Sequence, residues 1–500
     1  MKESDDKTFD ERGADGRRGD VPAEEFRAAL HRAADWVADY RARIEGRRVS
    51  PDTEPGEVTA LLPPSMPESP SPLSELFAEL DRVVLPHVVN WGHPSFFGYF
   101  GSTTTAPGIV GEFIAAALNV SAMTWRTSPA ATELETVVLA WMRGALGLPE
   151  EFTGVVYDTA SVALLHALAA AREGLGLEVR RRGLAARADV PTLRVYASEQ
   201  AHSSIEKAAI MLGLGEENVR RVATDERFRM DARALGRAIE EDARAGALPL
   251  AVVATTGTTS AAACDPVEEV AALCREHGVW LHVDAAYGGA LAMLAEYGHV
   301  ARALAAADSV VVNPHKWLFV PLDFSALYTR RPELLRQTFS LVPEYLRGDA
   351  ERGEVNYMDY GVQLGRRFRA LKAWAVFKTF GRAGLESRIR EHLRLARHFA
   401  RGIDGLEGFE LAAPQEMAVV CFRALPPHDS DAPADELNRA LVEAVNATGR
   451  AYLTHTTLRG RVAARVAVGN VLTEERHLDA LLALLREEAA RLTARQPFSV

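Results

Sequence analysis

One stretch decides the fold: Ser309-Val310-Val311-Val312-Asn313-Pro314-His315-Lys316-Trp317. Its three consecutive valines favour a strand covered on both faces, and Pro314 is expected to end that strand because it has no backbone N–H to donate. Lys316 therefore follows the carboxyl end of a buried strand, where open α/β sheets bind their ligands. Most lysines are solvated surface cations. A lysine in apolar surroundings instead loses hydration, and its lowered pKa suits Schiff-base chemistry.

The composition argues against several classes of protein. The 500 residues are 48% hydrophobic and 25% charged, as in ordinary globular proteins, and the net charge is −11. This acidic balance argues against a nucleic-acid binder, and no apolar run reaches the ~20 residues of a membrane span. The polar N-terminus is unlike a signal peptide. Cys264, Cys274 and Cys421 are scattered, which predicts free thiols and a cytoplasmic protein.

The chain divides into four predicted regions. Residues 1–20 are charged and are predicted to be a disordered tail. Residues 21–105 hold two amphipathic segments around a proline-rich linker, and their small core predicts an arm that packs on another surface, such as a second subunit. Residues 106–385 form a large domain, and residues 386–500 form a small α+β domain.

Strands and helices alternate from Gly154 onward, which predicts an α/β fold with a mainly parallel central sheet and helices on both faces. Two further amphipathic helices are predicted over residues 364–380 and 388–403.

Four features together describe a site for pyridoxal phosphate. Lys316 offers the amine for a Schiff base. Asp284 ends another strand, and a buried carboxylate at that place needs a partner such as a pyridinium N–H. The run Asp158-Thr159-Ala160-Ser161 precedes a helix, where backbone N–H groups and hydroxyls can bind phosphate. His202 can stack on the ring. Each feature also has an ordinary alternative, such as a helix cap for Thr159 and a surface position for His202.

The chain resembles the group II pyridoxal-phosphate-dependent amino-acid decarboxylases, and within them the aromatic-L-amino-acid decarboxylases, from about Phe26 to Leu485. The motifs that carry the resemblance are Asn313-Pro314-His315-Lys316-Trp317, His282-Val283-Asp284-Ala285-Ala286-Tyr287-Gly288-Gly289, Ile44-Glu45-Gly46-Arg47, Glu54-Pro55-Gly56, Ser128-Pro129-Ala130-Ala131-Thr132-Glu133-Leu134-Glu135 and Leu364-Gly365-Arg366-Arg367-Phe368-Arg369.

The resemblance implies a fold-type-I homodimer with its active site at the subunit interface, residues 21–105 as the dimerisation arm and residues 106–385 as the pyridoxal-phosphate-binding domain. It makes Lys316 the attachment point of the cofactor, Asp284 the partner of the ring nitrogen, and His202 a stacking group that assists protonation. The implied surroundings of the ring and phosphate are Thr159, Ala160, Ser161, Thr255, Ala286, Ser309, Asn313 and His315. The implied substrate pocket is formed by Trp91, Tyr99, Phe100, Ser121, Met123 and Gly365.

A polar, glycine-containing stretch over residues 347–354 predicts a flexible loop, although a solvated linker is the simpler interpretation. The resemblance implies that a tyrosine of this loop protonates Cα after CO2 leaves. Counting back from Leu364-Gly365-Arg366 assigns that role to Tyr357, with Tyr360 as a nearby competitor. In relatives that oxidatively deaminate, this tyrosine is typically phenylalanine, so Tyr357 together with His202 favours simple decarboxylation.

The resemblance leaves the substrate side chain open. Trp91, Phe100 and Met123 favour an aromatic substrate such as tryptophan, tyrosine, DOPA or phenylalanine, and Gly365 leaves room for a large ring. The aromatic stretch 90–100 can equally be a core-packing loop. Asp158 stands where the family commonly has glycine, and its side chain is expected to point away from the phosphate.

Several alternatives remain open from the sequence. The substrate can be non-aromatic, for example histidine, glutamate or diaminobutyrate, and the reaction can be that of an aromatic aldehyde synthase or an aminotransferase. A binding protein without turnover is a further class. A nicotinamide enzyme is disfavoured because no strand–GxGxxG–helix pattern is present. No metal is predicted, because His282, Asp284 and His315 lack a close-spaced ligand pair.

Overall fold

The computed structural model describes residues 20–101, 103–341, 353–426 and 431–495. Residues 1–19 of the predicted tail and most of the predicted loop at 347–354 lie outside these ranges. The chain divides into two compact units, Met1–His93 and Pro94–Val500. This division precedes the predicted boundary at residue 105, because Phe97 donates its backbone N–H to the Tyr452 carbonyl and accepts that of Ala467, both in the second unit.

The helices alternate with the strands through most of the second unit. The helices of the whole described chain are α1 (Ala23–Ala42), α2 (Glu57–Ala60), α3 (Leu73–Glu79), α4 (Ala106–Leu118), α5 (Pro129–Ala145), α6 (Ala160–Gly174), α7 (Val179–Arg182), α8 (Ser204–Met211), α9 (Ala232–Arg244), α10 (Val267–His277), α11 (Gly298–Ala305), α12 (Pro314–Trp317), α13 (Pro332–Phe339), α14 (Ala370–Asp404), α15 (Asp431–Ala447) and α16 (Glu475–Arg495). The strands are β1 (Thr153–Tyr157), β2 (Leu193–Ser198), β3 (Val219–Val222), β4 (Leu248–Thr255), β5 (Trp280–Asp284), β6 (Ser309–Val312), β7 (Ser325–Thr329), β8 (Phe409–Leu411), β9 (Val419–Ala424), β10 (Thr454–Leu458) and β11 (Arg461–Ala467).

The second unit is built on two sheets. The seven-stranded sheet has the order β1-β7-β6-β5-β4-β2-β3, and β7 is antiparallel to both of its neighbours while the pairs from β6 to β3 are parallel. The four-stranded sheet has the order β10-β11-β9-β8 and is antiparallel. The predicted α/β class with a mainly parallel central sheet is therefore confirmed.

Strand β6 forms as its sequence predicts. Val310, Val311 and Val312 are each at most 1% exposed, so both faces of the strand are covered. The strand ends at Val312, and Pro314 opens the short helix α12, where a missing N–H costs nothing.

The N-terminal unit contains α1 to α3. Helix α1 buries none of its residues. Within this unit the Trp36 indole donates to Asp81 (2.8 Å), and the Tyr40 hydroxyl donates to Asn90 Oδ1 (2.8 Å). Among the described residues, no helix of the chain is both long and apolar enough to cross a membrane.

The predicted helices over 364–380 and 388–403 are wrong in their bounds. Residues 364–369 are not helical, because the backbone carbonyl of Arg366 accepts the N–H of Ala122 instead of an N–H of its own helix. Helix α14 begins at Ala370 and continues to Asp404, with Gly381 at φ 63° and ψ 170° interrupting it. The pattern of apolar residues could not separate a helix from the irregular segment that precedes it.

Helices α4 and α14 pack closely at Gly111. A Cβ atom built on this glycine would lie 2.6 Å from the Lys372 Cα and 3.2 Å from the Leu371 carbonyl oxygen. We expect Gly111→Ala to lower the free energy of unfolding by ~1–3 kcal/mol, because backbone atoms cannot move aside as a flexible side chain can. Urea unfolding followed by circular dichroism measures this change.

Gly144→Ala is the matched control, since Gly144 lies in α5 and a Cβ there would meet no atom within 4 Å. This variant is expected to be neutral or more stable by ~0.5–1 kcal/mol. Equal effects of the two substitutions would contradict close packing at Gly111.

Candidate active site

The carboxyl ends of β4, β5 and β6 bring the central predicted residues together. Thr255 pairs with Asp284 in the β4–β5 register, and Asp284 pairs with Val311 in the β5–β6 register. Lys316 follows the end of β6 within α12. A parallel sheet places such strand ends along one edge, so the amine, the carboxylate and the threonine hydroxyl belong to one region.

Lys316 lies in a half-buried aromatic environment. Its Nζ is 5.0 Å from the centre of the Phe100 ring. Phe100 stacks on Tyr287 with 4.0 Å between ring centres, and Tyr287 stacks on Trp317 at 4.6 Å. Loss of hydration lowers the pKa of Lys316, while the Asp284 carboxylate opposes this change. The lysine is therefore more easily deprotonated than an ordinary lysine, as its sequence context predicts.

Asp284 and His202 share the electrostatic environment of Lys316. The Asp284 carboxylate accepts the backbone N–H of Ala286 (3.0 Å), which fixes its orientation. Burial lowers the pKa of His202, Asp284 raises it and Lys316 lowers it. His202 Nδ1 accepts the backbone N–H of Ser204 (3.1 Å), so in the neutral ring the proton is assigned to Nε2.

The residues predicted near the phosphate meet at the start of α6. Thr159 caps this helix by accepting the Val162 N–H (3.4 Å), so Ala160 and Ser161 belong to its first turn. The Ser325 hydroxyl bridges the Asn313 side chain (2.7 Å) and the Asp158 carbonyl (3.4 Å).

Asn313 is in turn linked to the residue that precedes the lysine. His315 Nε2 lies 3.3 Å from Asn313 Nδ2, and His315 Nδ1 accepts the Phe324 N–H (2.9 Å). These contacts and the Ser325 bridge join α12 to the N-terminus of α6.

Ser309 occupies a different place from its predicted partners. It begins β6, opposite His282, at the end of the strand away from Lys316. Its hydroxyl accepts the Trp280 indole N–H (2.9 Å) and contacts His282 Nδ1 (2.8 Å). This placement contradicts a position beside the phosphate, because three strand residues span ~10 Å. We therefore leave Ser309 out of the proposed site.

The structure places Tyr357, Ser121, Met123 and Gly365 in a second cluster around Arg366. The Arg366 guanidinium lies 4.8 Å from the centre of the Tyr357 ring, and its backbone N–H donates to the Ser121 hydroxyl (3.3 Å). The N–H of Met358 donates to the Met123 carbonyl (3.1 Å), and a Cβ at Gly365 would meet no atom within 4 Å. Within the described ranges, no hydrogen bond or ring contact joins this cluster to Lys316.

Tyr357 is more enclosed than a residue on a flexible loop would be. It is 5% exposed, begins the 3-10 helix Tyr357–Tyr360, and its hydroxyl lies 3.0 Å from the Thr136 hydroxyl. Burial raises its pKa. In this position it is an anchor of the second cluster, and a role at Lys316 of the same chain is not supported by its contacts.

Two further predicted pocket residues are exposed. Tyr99 is half exposed with a positive φ of 55°, and its ring centre lies 6.4 Å from that of Tyr452. Trp91 belongs to the N-terminal unit, where it is 43% exposed.

Arg465 is a site residue that sequence reasoning missed. It comes from β11 of the small sheet, and its guanidinium lies 4.6 Å from the centre of the Phe100 ring. It donates to the carbonyls of Tyr99 (2.5 Å) and Ser260 (3.1 Å). The signal available in the sequence was an arginine within an otherwise apolar strand, because a charged residue is seldom buried unless it has partners.

Three buried polar atoms of the residues around Lys316 lack a hydrogen-bond partner among the described residues: Thr255 Oγ1, Tyr287 Oη and Arg465 Nη2. Buried polar groups normally have partners, so these atoms are available to a bound molecule. Pyridoxal phosphate requires an amine, a carboxylate, a hydroxyl and a phosphate-binding helix N-terminus. Lys316, Asp284, Thr255 and the start of α6 beside Asn313 supply these groups. The residues present therefore fit this cofactor.

The comparisons with known proteins agree with this geometry. Residues 55–425 match the model of the pyridoxal-dependent decarboxylase conserved domain. The chain belongs to this family. It is a carboxy-lyase that uses pyridoxal phosphate, and its architecture is that of fold-type-I decarboxylases.

Similar proteins cover almost all of the chain. Tryptophan decarboxylase 2 of Oryza sativa subsp. japonica is 38% identical, over 94% of this chain and 96% of its own length. Phenylacetaldehyde synthase of Arabidopsis thaliana is 36% identical, over 94% of this chain and 97% of its own length. The crystal structure of Oryza sativa TDC with PLP and tryptamine has a TM-score of 0.90 and 37% identity, over 95% of this chain and 99% of that chain.

The second cluster of this decarboxylase depends on a buried ion pair. Arg366 donates to Glu135 (2.6 Å) and to the carbonyls of Ala122 and Val156 (2.8 Å each), and the Arg366 and Glu135 side chains are 4% and 2% exposed. We expect Arg366→Leu to lower the free energy of unfolding by ~3–5 kcal/mol, because Glu135 is left buried without its cation. Thermal or urea unfolding measures this loss.

Arg367→Leu provides the control in the same motif. Arg367 pairs with Glu112 on the surface, where its side chain is 61% exposed, so solvent already screens the pair. Its replacement is expected to change stability little. A comparable loss in both variants would contradict the structural role assigned to Arg366.

Proposed function

We propose that this protein removes the α-carboxyl group of an aromatic L-amino acid as CO2 and releases the corresponding amine. The observation that carries the proposal is the juxtaposition of Lys316 and Asp284 along one sheet edge, in a chain of the pyridoxal-dependent decarboxylase family. The aromatic stack of Phe100, Tyr287 and Trp317 and the resemblance to a tryptophan decarboxylase support an aromatic substrate.

The residues around Lys316, which we call the first cluster, have different roles in holding the cofactor. Lys316 would hold it covalently, and its lowered pKa makes the neutral amine accessible for that bond. Asp284 would pair with the ring nitrogen and favour its protonated form. Thr255 and Ala286 would flank the ring, and the phosphate would be held by Thr159, Ala160, Ser161, Asn313 and His315. When bound, the protonated ring supplies a sink for the electron pair that departing CO2 leaves behind.

His202 holds a proton close to the reacting centre. Its Nδ1 is occupied by the Ser204 N–H, so Nε2 is the nitrogen that can donate. Partial loss of hydration lowers the pKa of this histidine, which favours its neutral form. The aromatic groups around Lys316 exclude water, and a carboxylate without its hydration shell is lost more easily as neutral CO2.

We further propose that the active site is completed at the interface of a homodimer. Tyr357, Ser121, Met123 and Gly365 form their own cluster rather than joining Lys316, so a second copy is needed to bring such groups to the substrate. Two unpartnered surfaces support this association. Helix α1 buries no residue, and an apolar face of α4 is exposed through Val110, Phe113, Ile114 and Leu118. Trp91 and Tyr99 remain proposed pocket residues on the same basis.

A cytoplasmic location is also proposed. Cys264, Cys274 and Cys421 are free thiols in the described structure, and burial raises the pKa of each to about 11–12. Thiols that stay protonated and enclosed are compatible with a reducing compartment.

A second candidate is an aromatic aldehyde synthase, because a phenylacetaldehyde synthase is among the similar proteins. The two reactions differ in the step after CO2 is lost: protonation gives the amine, whereas oxidation by O2 and hydrolysis by water give the aldehyde with ammonia and hydrogen peroxide. The presence of His202 and of tyrosines near the predicted loop favours the amine.

A substrate panel tests the proposed function. The cofactor-loaded protein is mixed separately with tryptophan, tyrosine, DOPA, phenylalanine, histidine and glutamate, and CO2, amine and aldehyde are quantified by mass spectrometry. We expect one or more aromatic amines in equal amount to CO2, and Lys316→Ala to reduce turnover by at least about a thousandfold. Turnover of histidine or glutamate alone would contradict the aromatic pocket, and aldehyde with ammonia would support the second candidate.

The identity of the proton donor is tested by two tyrosine variants. Tyr357 is buried against Thr136, whereas Tyr345 belongs to residues 342–352, outside the described part of the chain. In the proposed two-subunit site Tyr357 reaches the substrate of a second copy, so we expect Tyr357→Phe to shift the product from amine towards aldehyde and Tyr345→Phe to leave the product unchanged. An unchanged amine-to-aldehyde ratio in Tyr357→Phe would contradict this role. Product ratios at matched protein stability separate these outcomes.

A further inference from the structure

Asp158 occupies an unusual place at the start of α6. Its Oδ1 atom accepts the backbone N–H of Thr159 (2.6 Å) and the Thr159 hydroxyl (3.2 Å). Its Oδ2 atom accepts the side-chain amide of Gln363 (3.2 Å). The carboxylate is therefore held between Thr159, the residue that caps the helix, and the side chain of Gln363.

These bonds use the donors of Thr159. Its N–H and O–H both point at Asp158, and a lone pair of its hydroxyl accepts the Val162 N–H. The donors left in this turn are the backbone N–H groups of Ala160 and Ser161 and the Ser161 hydroxyl. A phosphate dianion bound at this N-terminus would consequently be repelled by the Asp158 carboxylate, which already accepts both hydrogen bonds that Thr159 can donate.

No neighbouring cation offsets the charge of Asp158. Within the ranges that the structure describes, no lysine or arginine forms an ion pair with it. The titratable group on the adjoining face is His166, and burial lowers the pKa of this histidine to about 4, so it is neutral near pH 7. The negative charge therefore remains uncompensated beside the proposed phosphate position.

We propose that Asp158 competes with the cofactor phosphate for the N-terminus of α6 and thereby weakens cofactor binding. This inference rests on the proposed function of the same site. The carboxylate holds both Thr159 donors, so a bound phosphate would either be repelled by it or require it to give those donors up. The fraction of loaded enzyme then depends on the supply of cofactor.

The contact with Gln363 extends the effect to the second cluster. Gln363 is two residues from Gly365, a proposed pocket residue, and three from Arg366. The neighbouring backbone is also bonded to the strand and helix around Asp158: His166 accepts the Val362 N–H (3.1 Å), and the Tyr157 hydroxyl donates to the Tyr360 carbonyl (2.5 Å). Movement of the Asp158 side chain would therefore remove one of the bonds that position residues 360–366.

The test compares cofactor affinity in wild type, Asp158→Asn and Asp158→Gly, each prepared as the full chain without cofactor. Pyridoxal phosphate is titrated and binding is followed by absorbance and by quenching of tryptophan fluorescence. Pyridoxal, which lacks the phosphate, is titrated in parallel. We expect both variants to bind pyridoxal phosphate about five- to tenfold more tightly at low salt, with a smaller gain at high salt, and to bind pyridoxal unchanged.

Glu173→Gln is the matched control, because Glu173 lies in the last turn of the same helix. It is expected to leave both affinities unchanged. Weaker or equal binding of pyridoxal phosphate by Asp158→Asn would overturn the proposal, as would an equal change for pyridoxal. If the wild-type protein binds neither compound, the proposed function fails as well, whereas normal loading without any effect of Asp158 refutes this inference alone.

Discussion

The structure depends on the placement of two opposite charges at the carboxyl edge of a buried parallel sheet. The hydrophobic strands β4 to β6 bring Asp284 and Lys316 there, and burial removes hydration from the lysine. Charged groups in such a place are costly unless they have partners. A cofactor with a cationic ring nitrogen and a carbonyl group provides a partner for Asp284 and for Lys316. The arrangement that destabilises the fold is therefore useful for the reaction.

Two buried arginines organise the surroundings of this pair. Arg465 brings the small sheet to the ring of Phe100 and is held by carbonyls of Tyr99 and Ser260. Arg366 gathers the second cluster through Glu135 and two backbone carbonyls. The first cluster can hold the cofactor, while the second offers groups for a substrate. Their separation within one chain is the physical reason for proposing a two-subunit site.

The sequence predicted the features that depend on local pattern. The valines of β6 and Pro314 predicted where the strand ends, and the strand ends predicted that Asp284 and Lys316 belong together. Ser309 was placed near the phosphate by the resemblance, although the strand pattern already puts it at the start of β6 and Lys316 after the end of that strand. Arg465 was missed because its approach to Phe100 depends on the packing of a distant strand. Tyr357 was assigned by counting residues, which cannot reveal its burial against Thr136. The irregular segment before Ala370 depends on tertiary bonds to Arg366.

The most direct test of the central claim is to locate the cofactor on the chain. The purified, loaded protein is treated with borohydride, digested, and analysed by mass spectrometry for a pyridoxyl-modified lysine. The chain has six lysines, so the peptides are readily distinguished. The account predicts that the modification lies on Lys316 and is absent from the buried Lys372, which is paired with Glu112. Modification of another lysine, or of none in protein that shows activity, would contradict it.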